Sequence, residues 1–244
     1  DCLGEALEFV KEGKADIAVA TDGDADRFGI IDKEGSYISP NQIIAVLLYH
    51  LVKNRGYKGI AARSVMTSSF IDAVANKYGI ELRETPVGFK FIGDILVKEN
   101  LVIGGEESGG LTIKDHVPEK DGILACLLVI EMVAMFGKSV KEIIAEIEQQ
   151  VGKFYNDRKN FRIEQDKMTK LKENLKNTTP KNFGELEVKK VITLDGYKFL
   201  FDDGAWLGIR LSGTEPIVRL YVEAKNEEMM KQLLNVGDEF INGI

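Results

Sequence analysis

Cysteine is nearly absent: the 244 residues hold two, Cys2 and Cys126. One lies at the extreme start and the other inside the apolar run from Ile123 to Ile130. That placement argues against a disulfide framework or a cysteine metal site, and predicts a stray terminal thiol and a buried one. It suits a reducing compartment, and a cytoplasmic location is the expectation. Positive charge is scarce as well. With 32 Lys and Arg against 39 Asp and Glu, the formal net charge is −7 and the pI about 5.1. This argues against a nucleic-acid partner or an anionic membrane surface, while leaving room for a local basic pocket around a small phosphate ester. Long apolar runs are missing too. The longest, Ile123 to Phe136, is broken by Glu131 and falls short of the ~20 residues that cross a bilayer, so it reads as a core helix. No signal-peptide pattern, internal repeat or low-complexity tract is visible. Position 1 is Asp rather than Met and leads at once into the amphipathic stretch Glu5 to Lys11, so the expectation is a fragment of a longer protein.

What the chain does have is ample core material, 44% hydrophobic and 29% charged side chains, enough for one large or two medium domains. Residues 1–36 read helix, strand, loop, strand, with Lys33-Glu34-Gly35 as a hairpin turn. Helices follow at Gln42 to Asn54, Ser68 to Tyr78 and Phe91 to Glu99, alternating with strands at Ile60 to Ala62, Glu81 to Thr85 and Leu101 to Ile103. Such alternation predicts a parallel sheet covered on both faces, with ligands at the carboxyl ends of its strands. After Val151 the texture changes. A polar segment, Gly152 to Asn160, precedes a strand, a helix from Asp166 to Lys176, two β-rich stretches (Leu186 to Phe201, Trp206 to Ala224) and a helix from Asn226 to Ile241, an α+β pattern. The fold class is therefore α/β: a mixed three-layer α/β/α domain plus a smaller carboxyl-terminal α+β domain. The expected divisions are 1–36, 37–151 and 152–244, with the polar segment as a hinge.

The densest chemistry lies in Asp22-Gly23-Asp24-Ala25-Asp26-Arg27, fed by Ile17-Ala18-Val19-Ala20 and followed by Phe28-Gly29-Ile30-Ile31. Three carboxylates at alternate positions of a tight loop can turn toward one centre, and they repel one another unless a divalent cation sits there. Arg27 adds a fixed positive group suited to a phosphate on the metal's open side. Asp-Gly-Asp is also ordinary turn chemistry. An EF-hand does not fit, because its sixth position holds Arg27 instead of Gly and its twelfth holds Lys33 instead of Glu. A haloacid-dehalogenase pattern fails because the fifth position is Asp26.

Three further loops follow strands. Gly104-Gly105-Glu106-Glu107-Ser108-Gly109-Gly110 surrounds two carboxylates and a hydroxyl with four glycines, and Glu106 and Ser108 suit a vicinal diol of a sugar. Its bland alternative is a solvated Gly-rich connection. Pro86-Val87-Gly88-Phe89-Lys90 puts Lys90 at a helix start, where a lysine opposes the helix dipole and an anion partner would relieve it. His116 to Gly122 places His116 and Lys120 before the apolar helix; each residue alone is most often structural or solvated. Finally, Ile209 to Pro216 offers the Arg210 fork, the Ser212 and Thr214 hydroxyls and a turn at Gly213, together a phosphate nest.

Taken together and in this order, the loops resemble those of the α-D-phosphohexomutases, the phosphoglucomutase/phosphomannomutase family. Asp22 to Arg27 is similar to that family's metal loop, Gly105 to Gly109 to its sugar-recognition loop, Thr85 to Lys90 and His116 to Gly122 to further active-site loops, and Arg210 to Pro216 to its phosphate loop. The likeness runs through essentially all of the chain, as the tail of a second domain, a whole third and a whole fourth. It implies reversible transfer between hexose 1-phosphate and 6-phosphate through a phosphoserine and a 1,6-bisphosphate, with glucose 1,6-bisphosphate as activator. It also implies that Asp22, Asp24 and Asp26 hold Mg2+, that Arg27 positions the moving phosphoryl group and that Lys120 acts as general acid/base. Glu106 and Ser108 would grip sugar hydroxyls, Lys90 would contact substrate, and Arg210, Ser212, Gly213, Thr214 and the weaker candidate Arg219 would clamp the other phosphate. Glucose, mannose and glucosamine phosphates all stay open as substrates, and the sugar loop together with Val87-Gly88-Phe89-Lys90 leans toward glucose and mannose.

One departure stands out. The family's phosphoserine loop, Thr-Ala-Ser-His-Asn-Pro or close to it, is absent, since none of the eight serines precedes a His-Asn pair. The expected partners are therefore a hexose phosphate and the missing amino-terminal domains of the same protein, and the chain alone is expected to be inactive. A metal-dependent phosphatase and a non-catalytic sugar-phosphate-binding module remain as alternatives.

Overall fold

The computed structural model describes residues 3–213 and 215–243, which form two compact units, Asp1–Gly152 and Lys153–Ile244. Cys2 and Thr214, both named above, lie outside the described residues.

The first unit opens with α1 (Gly4–Lys11) and an antiparallel meander of β1 (Ile17–Thr21), β2 (Phe28–Asp32) and β3 (Ser36–Ile38), in that spatial order. Gly35, at φ +70°, makes the β2–β3 turn and donates its N–H to the Asp32 carbonyl at 2.8 Å. Three strands and one helix are too few to hold a core alone, and docking onto the rest of the unit supplies what is lacking. Part of that docking is polar: the buried Asp32 carboxylate accepts the Val140 N–H at 2.9 Å, at the start of α6 (Val140–Val151).

Next comes α2 (Pro40–Lys53). Ser39 caps it in a reciprocal box, Ser39 Oγ accepting from the Gln42 N–H and Gln42 Oε1 from the Ser39 N–H, and Pro40 fills the first turn, where no donor is needed. Every residue from Ile43 to Leu51 is buried. This is the central helix of the unit. The expected core helix is α5 (Gly122–Phe136), but Ile123, Leu127 and Ile130 on it are 56%, 59% and 41% exposed, so only part of its circumference is covered. Length and hydropathy matched the expectation; the neighbours on one side did not.

Against these helices packs a four-stranded sheet of order β5-β4-β6-β7, built from β4 (Ile60–Ser64), β5 (Glu81–Thr85), β6 (Leu101–Gly105) and β7 (Leu111–Ile113). The first three strands are parallel, while β7 returns antiparallel to β6, so the sheet is mixed rather than parallel throughout. α3 (Phe70–Lys77) packs beside α2, and α4 (Phe89–Lys98) covers the opposite face through Phe89 and Ile92. The glycines that end β6 follow from this layering: a Cβ on Gly104 would strike Ile92 of α4, and one on Gly105 would strike Ile44 of α2. Among the described residues no single helix is long and apolar enough to cross a membrane.

The second unit is a five-stranded antiparallel sheet of order β11-β12-β13-β14-β8, from β8 (Tyr155–Arg162), β11 (Lys190–Ile192), β12 (Tyr197–Leu200), β13 (Trp206–Leu211) and β14 (Ile217–Ala224), with a small hairpin of β9 (Asn182–Phe183) and β10 (Leu186–Glu187). α7 (Gln165–Asn177) and α8 (Glu227–Asn242) bury Leu171, Leu175, Leu233 and Ile241 with Phe199, Leu207, Val218 and Leu220. The division between the two units falls at the start of the polar segment, between Gly152 and Lys153, and most of the rest of that segment is strand. Tyr155–Arg162 pairs with β14 along its whole length, alternating polar side chains notwithstanding, because it is an edge strand.

Candidate functional site

In the first unit the β1–β2 connection is the acidic loop. Asp22 Oδ1 accepts the N–H groups of Asp26 (3.2 Å) and Arg27 (3.1 Å), and the Asp22 carbonyl accepts from Ala25 (3.1 Å), so the first carboxylate folds the loop around itself. Ala25 takes the left-handed conformation, φ +58°, a strained choice for a residue with a Cβ. With that turn made, one carboxylate oxygen each from Asp22, Asp24 and Asp26 lie within 4.8 Å of one another, two of the residues exposed and one half-buried. A set of hard oxygen donors, open on the solvent side, fits an octahedral dication that keeps several waters. Arg27 Nε stands 3.7 Å from Asp26 and 3.9 Å from Asp22.

The start of α5 braces this loop. Gly122 donates its N–H to the Ala25 carbonyl at 2.9 Å, and a Cβ there would collide with the carbonyl oxygens of Arg27 and Ala25. Asp121 caps the helix by accepting the Leu124 N–H at 2.8 Å, and His116 Nε2 holds its other oxygen at 2.9 Å. Burial would raise the Asp121 pKa, but the cap and His116 together keep it below the ordinary value. His116 thus acts on the helix start, one step removed from the carboxylates.

Lys120 points back at the loop, its Nζ 3.1 Å from Asp26 and 2.9 Å from Glu119. Burial pulls its pKa down, yet the two carboxylates outweigh this and hold it above the usual lysine value, so it is charged at neutral pH. The glycine loop meets the same corner. A Cβ on Gly110 would strike the Lys120 side chain, and Gly109, at φ +97°, lies against Arg27 and the Phe28 carbonyl. Glu106 N–H donates to Gly110 O at 2.9 Å and Gly109 N–H to Glu106 O at 3.0 Å, which closes the loop. Within it Ser108 is half-buried, while Glu106 is only 6% exposed and accepts the Gly88 N–H at 2.8 Å. Glu106 and Ser108 therefore do not present equal faces to solvent: Glu106 ties the glycine loop to the turn before α4. Lys90 is exposed in the first turn of that helix, its ammonium over the Phe91 ring at 5.0 Å.

Sequence reasoning missed Gly122, Gly88 and Thr67. Thr67 is buried and its Oγ1 accepts the Glu107 N–H at 3.2 Å. The available signal for Gly122 was a glycine directly after a helix-capping Asp, where no turn requires one.

The second unit carries the β13–β14 connection. Arg210 is directly opposite Arg219 in the ladder, two guanidinium groups on one face of the sheet, and Arg210 Nε reaches Asp195 Oδ2 at 3.2 Å. Like charges facing each other across strands destabilise a sheet unless an anion lies between them. In this turn the Ser212 N–H donates to Ile217 O (2.9 Å), the Glu215 N–H to Ser212 Oγ (3.4 Å) and the Ile217 N–H to Glu215 O (2.7 Å), so these three donors close the turn. Gly213 is exposed at the tip. A cavity of about 890 Å³ opens on the α7 side of this loop, lined by Met168, Lys172, Tyr197 and Ser212, with neither arginine in its wall.

Comparison with known proteins gives one answer along the chain. Residues 1–35 match the phosphoglucomutase/phosphomannomutase alpha/beta/alpha domain II, residues 39–151 domain III and residues 160–236 the C-terminal domain of the same family. A phosphoglucomutase/phosphomannomutase of Thermococcus kodakarensis is 34% identical over 95% of this chain and 48% of its own length. A phosphoglucosamine mutase of Methanocaldococcus jannaschii is 36% identical over 98% of this chain and 52% of its own. Among solved structures, a putative phosphomannomutase from Thermus thermophilus superposes with a TM-score of 0.80 at 34% identity, over 98% of this chain and 49% of that one. The chain spans about half the length of the curated relatives it matches.

Proposed function

The chain belongs to the α-D-phosphohexomutase family, and from that premise we propose that it supplies the metal-binding, sugar-recognising and phosphate-clamping parts of a Mg2+-dependent mutase interconverting hexose 1-phosphate and hexose 6-phosphate, glucose and mannose phosphates being its substrates. The observation that carries this reading is the convergence in the first unit, where Gly109 lies against Arg27, Gly110 against Lys120, and Lys120 against Asp26. Three loops far apart in sequence thereby put an oxygen-donor cluster, a cation and a sugar-sized polar loop in one place, which neither a plain turn nor a solvated glycine linker would do.

Asp22, Asp24 and Asp26 would hold Mg2+, which supplies neutralisation of phosphoryl charge and orientation of the group in transfer. Arg27, with its guanidinium beside the same carboxylates, would hold a phosphoryl oxygen. Lys120 enters charged, so at neutral pH it can give a proton to an oxygen that loses its phosphoryl group, and take one from the sugar hydroxyl in the reverse direction. Ser108, from the glycine loop, would hold a ring hydroxyl, with Glu106 fixing the loop against Gly88 and offering its carboxylate from inside. Arg210 and Arg219 would take the phosphate that is not reacting, whose charge relieves their mutual repulsion, with Ser212, Gly213 and Thr214 at the edge of that clamp and Lys90 as a further substrate contact.

Transfer through a covalent phosphoserine needs a serine of the Ser-His-Asn kind, and these 244 residues have none. The purified chain is therefore expected to bind hexose phosphate but to give no conversion of glucose 1-phosphate to glucose 6-phosphate in a coupled assay with Mg2+ and glucose 1,6-bisphosphate. Metal-dependent turnover by the chain alone would refute this reading, and release of inorganic phosphate would favour a phosphatase.

A further inference from the structure

β4 leads through α3 to β5 on one side while β6 lies on its other side, so the order of the strands reverses between β4 and β6. In open α/β sheets, ligands settle in the crevice beyond the carboxyl ends of such a strand pair. The glycine loop follows β6 at this point, and the turn after β4, from Val65 to Ser69, meets it with no role in the chemistry proposed above. Their meeting is made of hydroxyls. Thr67 Oγ1 accepts the Glu107 N–H at 3.2 Å and shares a second hydrogen bond with Ser64 Oγ at 2.8 Å. Thr67 is 0% and Ser64 1% exposed, so water does not compete for either oxygen. The turn is itself anchored: the Thr67 N–H donates to Ser64 O at 2.9 Å, and Asn41, in the first turn of α2, accepts the Ser68 N–H at 3.1 Å.

A buried threonine bonded only to its own turn is a matter of packing, but this one crosses to another loop. The remaining seats of the glycine loop lie on either side of the crossing: Glu106 on the Gly88 N–H, Gly109 against Arg27 and Pro40, Gly110 against Lys120. Between Glu107 and Gly109 stands Ser108, half-buried, and among the described residues its hydroxyl has no hydrogen-bond partner. Resting on the family reading, we infer that Thr67 is a positioning residue of the sugar-recognition loop: by fixing the Glu107 amide against the end of β4, it sets the Ser108 hydroxyl where a sugar hydroxyl can meet it. Being fully buried, Thr67 does not itself reach a ligand. It acts through Ser108, whose backbone is pinned before it by Thr67 and after it by the Gly109 N–H on the Glu106 carbonyl. A hydroxyl placed before the ligand arrives gives up less freedom on binding.

The test follows amide exchange and glucose 1-phosphate binding in the 244-residue chain with Mg2+ present. Thr67→Val keeps the shape and loses the hydroxyl, whereas Thr67→Ser keeps the hydroxyl and loses a methyl group. Thr67→Val should speed exchange at Glu107 about tenfold or more while leaving Ile103, paired with both β4 and β7, unchanged. It should also weaken glucose 1-phosphate binding about fivefold with Mn2+ affinity unmoved, and Thr67→Ser should restore both values. Ser108→Ala and the Ser108→Ala, Thr67→Val double variant should bind glucose 1-phosphate equally weakly, because Thr67 acts through that hydroxyl. Unchanged exchange at Glu107, unchanged sugar-phosphate binding in Thr67→Val, a Thr67→Ser chain that behaves like Thr67→Val, or a double variant weaker still overturns the inference. So does exchange that rises equally at Ile103, which marks a general loss of stability. Should Thr67→Val not fold, Ser64→Ala decides: a rise of about threefold at Glu107 alone supports the inference, and no rise overturns it. If the unaltered chain binds no glucose 1-phosphate the family reading fails, while exchange at Glu107 still decides for or against the tie.

Discussion

The acidic corner of the first unit is assembled from three loops that rest on one another, whereas the phosphate loop of the second is a single turn closed by its own hydrogen bonds beside an open arginine ladder. At the corner, Gly122 and Gly110 let loops approach to distances that a Cβ would forbid, Gly109 supplies a positive φ of +97°, and a left-handed Ala25 completes the turn. At the ladder, Arg210 and Arg219 sit side by side with Asp195 as the counter-charge to Arg210. The first arrangement fixes geometry before a ligand arrives, which favours a site where a phosphoryl group must be placed accurately. The second fixes charge, which is enough for a phosphate that has only to be gripped. Substitutions should therefore cost structure in one unit and binding in the other.

The largest expected effect is at Gly122. Gly122→Ala pushes a methyl group into the Arg27 and Ala25 carbonyls, and overpacking of this kind costs about 1–3 kcal/mol. The lone tryptophan, Trp206, lies in the second unit, so its fluorescence reports that unit while circular dichroism reports both. Urea unfolding should show an earlier dichroism transition with the fluorescence transition unmoved; a shift in fluorescence would break the comparison. Comparable in size, but falling on binding rather than folding, is the effect of Arg210→Ala. Losing a charge-assisted clamp should weaken hexose-phosphate binding by roughly 1.5–3 kcal/mol with the fluorescence midpoint little changed, as calorimetry and the same urea titration would show.

How much of this was legible in the sequence differs between the two regions. The Asp22, Asp24 and Asp26 spacing, the strand before it and the helix after Gly122 could be read directly, because alternate carboxylates and apolar periodicity are local signals. That Gly110 would rest on Lys120 could not, since contacts between loops arise only when β6, β7 and α5 pack. The position of β8 was hidden for a related reason, since a strand is expected only beyond Asn160 and β8 starts at Tyr155. An edge strand with Asn156, Asp157, Arg158, Lys159 and Asn160 lacks clean alternation, and only its eight-residue pairing with β14 reveals it. The burial of Ile43 to Leu51, compared with the exposed stripe on α5, was likewise not decided by hydropathy, which is high in both helices.

A smaller effect concerns pH. His50 is fully buried, and burial lowers its pKa below the ordinary 6.5 although Glu131 pulls the other way. The unfolded chain then binds the proton more readily than the folded one, so stability is present above about pH 6.5 and is lost as the pH falls below it. Thermal melts followed by dichroism should show the first unit losing stability between pH 7 and 5, and His50→Gln should flatten that slope. A slope that survives the substitution would place the titration elsewhere.

The most direct test of the central claim, that the acidic loop and the glycine loop form one site, is paramagnetic broadening of glucose 1-phosphate by protein-bound Mn2+. With Mn2+ held by Asp22, Asp24 and Asp26, the ring and phosphorus resonances should broaden strongly in the presence of the chain, and the broadening should vanish in Asp24→Asn and weaken in Ser108→Ala. Tight Mn2+ binding that leaves the sugar resonances sharp, or broadening that persists in Asp24→Asn, would contradict the account.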